Sequence, residues 1–63
     1  MTISITTRQA QIVASYAVEF MAEKAGMTTA QILDALASGH AATVSYFVEL
    51  LEIGGREANN LNA

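Results

Sequence analysis

Few side chains in this sequence could do chemistry. There is one histidine, His40, with no cysteine and no tryptophan. General acid–base catalysis needs a positioned titratable group, most often a histidine or a pair of carboxylates. His40 stands alone after Gly39, at the start of a helical pattern, with no serine, cysteine or aspartate beside it in a nucleophile arrangement. Its spacing fits a solvent-facing loop or cap histidine. Glu19 and Glu23 lie four residues apart, as a carboxylate-bridged metal site in a helical bundle would require. Such sites also take Glu-x-x-His motifs from other helices, and this chain has none. The pair reads as a solvated helix face. No G-x-S-x-G, phosphate-binding loop or dinucleotide-binding glycine pattern occurs. The expectation is a protein without catalytic residues, cofactor or metal.

The elements that would position these residues are helices separated by glycines. Gly26, Gly39 and the Gly54-Gly55 pair punctuate a sequence with no proline. Thr6 and Gln9 have capping-box spacing, in which the hydroxyl accepts from the third helical N–H and the glutamine reaches back to the cap. Thr28 and Gln31 repeat it, with Met27 and Ile32 in the hydrophobic-staple positions on either side. These signals predict helices over about 7–25, 29–37 and 41–53, ended by Gly26, Gly39 and Gly54-Gly55. Ile12, Tyr16, Phe20 and Val13, Ala17, Met21 form adjoining i, i+4 rows that read as one wide apolar stripe, with Glu19 and Glu23 on the other side. Ile32, Leu33 and Leu36 are expected to face the core, and Val44, Phe47, Val48 and Leu51 to form the inner row of the third helix. Ile3 and Ile5 alternate with polar residues and suggest a flexible N-terminal arm. Residues 56–63 suggest a polar, asparagine-rich tail, either frayed or a short turn of helix with Leu61 docking. The expected fold is all-α, a single small three-helix domain over residues 1–63.

Composition constrains the rest. The chain has 63 residues, 52% hydrophobic and only 14% charged, against about a quarter charged in an ordinary domain. A chain this short buries roughly 60% of its unfolded surface, and a core of that size usually needs a staple. Without cysteine or a zinc-ligand set, association is the staple left. An uncovered apolar face marks an interaction site. The expectation is a protein partner, a second copy of the chain, or both, with a homodimer burying the exposed edges of the first and third helices. Tyr46, Leu50, Ile53 and Met21 lie off the best core row of their helices and are the expected contact edge. The net charge of −3 argues against nucleic acid or an anionic membrane. The longest uncharged run, Ala35 to Val48, falls short of the ~20 apolar residues of a membrane span. The chain reads as soluble and cytoplasmic.

Two resemblances carry further expectations. The stretch TTAQILDALASGHAATVSYFVELLEIGG resembles the helix-turn-helix core of small transcription regulators, through Thr28 to Leu36, Ser38 to Ala41, Thr43-Val44-Ser45, Leu51-Glu52 and Gly54. That resemblance would imply DNA binding. The would-be recognition helix, Gly39 to Ile53, has no lysine or arginine for phosphate contacts. Val18-Glu19-Phe20, Gly26 to Leu36, Tyr46, Leu51 and Gly54 stand in an order similar to that of a family of small bacterial proteins encoded beside ADP-ribosyltransferase-like toxins. Glu52 occupies a position where that family tends to have histidine. This second resemblance implies an accessory, inhibitor or antitoxin-like binding partner.

Overall fold

A computed structural model describes residues 4–62 and shows three helices: α1 (Thr7–Ala25), α2 (Thr29–Ala37) and α3 (Ala41–Leu61). Among the described residues there is no strand. Ile3 lies outside the described residues, while Ile5 is half-buried beside the start of α1.

Local chemistry sets the first two helix starts. The Thr6 hydroxyl accepts from the Gln9 amide at 3.1 Å, and the Gln9 side chain accepts from the Thr6 amide at 2.9 Å. Thr28 and Gln31 make the same reciprocal pair at 3.1 and 2.9 Å. Each box satisfies backbone donors that the first turn leaves without intrahelical partners. Gly26, at φ 66°, ends α1: its amide donates to Glu23 and that of Met27 to Ala22. Gly39, at φ 75°, turns the chain out of α2 in the same way, with His40 N–H donating to Ala35. These are Schellman closures, in which a left-handed residue lets two amides reach back to otherwise open carbonyls.

The third boundary differs from the sequence expectation. The Gly54-Gly55 pair does not stop α3, which continues through residues 56–61 and ends at Asn62. Among the described residues, positive φ occurs only at Gly26 and Gly39. Gly54 is there for proximity: a Cβ at that position would sit 2.6 Å from Cγ1 of Val13. Gly55 and Ala58 are buried on the same helix. Small residues let the backbones of α1 and α3 approach closely.

α1 and α3 run antiparallel. Val13 meets Gly54, Phe20 meets Tyr46, and Gln9 meets Asn62. The supposed tail is therefore helix docked against the start of the chain. Ser4 N–H donates to Asn59 Oδ1 at 2.9 Å, and the Gln9 and Asn62 amides exchange hydrogen bonds at 3.0 and 2.9 Å.

The core is small. Val18, Met21, Ala22 and Ile32 form its buried cluster, with Leu36, Phe47 and Leu50 packed against it. Ala17 and Ala58 are also buried, and among the described residues no large side chain is fully enclosed. The short α2 lies across residues 14–25 of α1 and 42–50 of α3. The other half of the α1/α3 pair has no third helix over it. Several residues expected inside are therefore outside. Leu33 and Val48 are exposed, as are Ile12, Tyr16 and Phe20. The two rows of α1 divide: Ala17 and Met21 turn in, and the Ile12–Tyr16–Phe20 row turns out.

Candidate protein-interaction surface

The outward row of α1 and one edge of α3 line a shallow apolar groove. Ile12, Tyr16 and Phe20 form one wall, Leu50, Ile53 and Leu61 the other, and Ala17, Gly54 and Ala58 lie between them. Glu57 is its acidic member. Helical periodicity explains the grouping. Residues 12, 16 and 20 step by four along α1, and 46, 50, 53, 57 and 61 step by three or four along α3. The small residues between the walls set the groove's depth, because they bring the two helices together without filling the space between them.

The exposure is large for so small a chain. Tyr16 is 67% exposed, Ile53 50%, and Leu61 86%. Scattered single apolar residues are ordinary on a protein surface, but contiguous ones mark contact sites. Phe20 extends the surface past the groove. Its ring lies 6.4 Å from that of Tyr46, tilted by 58°. Lys24 Nζ sits 5.6 Å from the Phe20 centroid, within reach of a cation–π attraction.

The four residues expected at the contact edge do not share one environment. Leu50 and Ile53 line the groove. Tyr46 adjoins it through Phe20, and its outer side borders a second depression with Lys24, Met27 and Thr43. Met21 lies apart from the other three. It is only 4% exposed, inside the core cluster with Val18, Ala22 and Ile32, so it supports the surface from beneath. Ile12, Tyr16, Phe20 and Leu61 are the groove residues missed from sequence. The signal was present in the alanines. Ala17 and Ala22 make the close-packing side of α1 small, which leaves the large residues on the other side.

Charges flank the outward row. Arg8 and Glu19 border one depression with Ile12 and Tyr16, so Glu19 edges the same exposed face rather than an opposite one. Glu23 follows one turn later and is exposed.

The residues weighed for catalysis have structural settings. His40 is the N-cap of α3: Nδ1 lies 2.8 Å from the Thr43 hydroxyl and accepts from the Thr43 amide at 3.4 Å. Among the described residues, no three acidic or imidazole side chains cluster as metal ligands. No helix among them is long and apolar enough to cross a membrane. In the helix-turn-helix-like segment, the exposed side chains of α3 before Gly54 include Ser45, Tyr46, Glu49 and Glu52, with no cation to meet a phosphate.

No protein-family model, curated protein or solved structure matches this chain.

Proposed function

We propose that the chain is a non-catalytic, cytoplasmic helical interaction module that works by presenting the α1/α3 groove to another polypeptide, as an accessory, inhibitor or antitoxin-like partner. The observation that carries this reading is the continuous exposed row Ile12, Tyr16, Phe20 facing Leu50, Ile53 and Leu61. Aromatic side chains such as Tyr16 and Phe20 are enriched among the anchors of protein interfaces, and the aliphatic wall opposite them supplies apolar area to bury. The acidic balance of the chain fits a protein partner better than a nucleic acid.

The test pairs Leu50→Glu with Ile53→Glu in one folded variant. Each places a carboxylate on an apolar wall, where burial against a partner would leave a charge unpaired. Circular dichroism checks that the helices persist. Both self-association and retention of protein partners, measured on nuclease-treated material, should fall sharply. A folded double variant that keeps both at wild-type level refutes the reading. Salt-sensitive retention on DNA, with no protein association, would favour the helix-turn-helix resemblance instead.

A further inference from the structure

We infer that the occupant of the α1/α3 groove is a second copy of this chain, docked about a two-fold axis perpendicular to the helices at the level of Tyr16. This rests on the interaction-module reading and names its partner.

The first ground is the order of charges along α1. Its exposed face carries Arg8 at the amino-terminal end, Ile12 and Tyr16 in the middle, and Glu19 and Glu23 towards the carboxy-terminal end. At 100° per residue these five side chains lie within about a quarter-turn of one another. A face that is positive at one end and negative at the other complements a reversed copy of itself. Antiparallel α1–α1′ pairing centred on Tyr16 puts Arg8 of each protomer level with residues 23–24 of the other, where Glu23 lies on the shared face and Lys24, about 100° further round, turns aside over the Phe20 ring; Glu19 is one turn away. It also sets Ile12 against Phe20 of the partner copy, and the two Tyr16 rings together at the axis.

The second ground is independent, because it comes from α3. A single axis must serve both helices. Tyr16 lies between the Val13–Gly54 and Phe20–Tyr46 contacts, and so at the level of residues 50–51. The same rotation therefore stacks α3 on its own copy about that point. At that level Leu50 of each protomer stands within one turn of Ile53 of the other, and Tyr46 within one turn of Glu57, where the hydroxyl can reach the carboxylate. Both helices are matched by one operation, as an isologous interface requires. The other available two-fold, parallel to the helices, sets α1 against α3 of the partner. It leaves Glu19 and Glu23 opposite residues 41–55, which contain no lysine or arginine.

The size also fits. A standard interface covers about 800 Å² per partner, which is less than a fifth of the 4559 Å² exposed by this chain. The long α1/α3 face can supply that, and the result is a four-helix bundle of α1, α3 and their copies packed around one apolar core.

The test is a charge exchange read by sedimentation equilibrium at about 100 μM protein, a concentration at which a micromolar dimer is nearly complete. Arg8→Glu creates a copy whose face is acidic throughout. Glu19→Arg with Glu23→Arg creates one that is basic throughout. Both changes suit folding, since acid is favoured near a helix amino terminus and base near the carboxy terminus. The wild type should sediment at twice the 6.7 kDa chain mass. Each variant alone should dimerise about tenfold or more weakly, because two ion-pair sites per dimer become repulsive. Mixing them should restore a heterodimer, since every pair is then opposite in sign.

A monomeric wild type overturns the inference. If that monomer still retains a protein partner that Leu50→Glu/Ile53→Glu releases, the interaction-module reading stands without it. A wild-type dimer unaffected by either charge variant also overturns it, because the axis or the face is then different. A dimer lost in each variant and not regained on mixing does the same.

Discussion

Gly54→Ala separates close helix contact from simple helix propensity, because the two push in opposite directions. In an exposed helix interior, replacing glycine by alanine stabilises by about 0.8–1 kcal/mol. At position 54 the new Cβ would stand 2.6 Å from Cγ1 of Val13 and 3.4 Å from Cγ2. Valine in a helix strongly prefers one χ1 rotamer, so turning its hydrogen rather than a methyl towards the new Cβ is itself unfavourable. The backbones must separate instead. Overpacking of this kind costs about 1–3 kcal/mol. The expected result is a net loss of about 1 kcal/mol, or roughly 4–8 °C in Tm for a domain of this size. Val13→Ala removes the obstructing methyls. In that background the same Gly54→Ala change should stabilise, by about the propensity difference. The prediction is thus a reversal of sign across a double-mutant cycle. Urea denaturation followed by helical circular dichroism measures it, at one protein concentration throughout because association would shift the midpoint. A full stabilisation from Gly54→Ala in the wild-type background would refute the close approach of α1 and α3 at this point.

Other predictions concern the ends of helices and the core. Thr28→Ala should cost about 1 kcal/mol by removing the α2 cap, and Thr28→Ser should restore most of it; thermal denaturation distinguishes the two. His40→Asp should stabilise α3 by up to about 1 kcal/mol, since aspartate is the better N-cap and places negative charge at the helix start. A drop in Tm would show that His40 does more than cap. Ile32→Ala, at the most buried large side chain of the core (3% exposed), should cost about 2–5 kcal/mol, enough to abolish cooperative unfolding in a chain this small.

The boundaries with chemical signatures were readable from sequence. Thr6–Gln9 and Thr28–Gln31 are capping boxes by spacing alone, and they form as spaced. Gly26 and Gly39 follow the last residue of a helical period and adopt the left-handed conformation. Gly54-Gly55 has the same appearance in the sequence but another cause, since glycine serves equally to turn a chain and to bring two chains together. The distinguishing sign lay downstream. Ala58 falls four residues after Gly54, so a row of small residues continues past the supposed stop. The inner and outer faces of α1 were harder to tell apart, because both are apolar. Which one turns in depends on where a nine-residue α2 can reach, and that is a property of the assembled helices. The same ambiguity placed Met21 on the contact edge when it belongs to the core, while Leu50 and Ile53 do line the groove.

The polar clasp at the far pole has a consequence for connectivity. Ser4 bonds to Asn59 and Asn62, and Gln9 bonds to Asn62, so the two ends of the helical unit are held side by side. From Ser4 to Asn62 the described unit is nearly a closed ring with a single seam. A short flexible linker could close that seam, and the ring could then be opened at the exposed Gly39 turn instead. Such a circular permutant would begin with α3, pass into α1 and finish with α2, yet keep every packing contact of the parent. It would also turn the most distant pairing in sequence, α1 with α3, into a hairpin between neighbours. Folding rates rise as contacts become local, so the rearranged order should reach the same three-helix structure sooner.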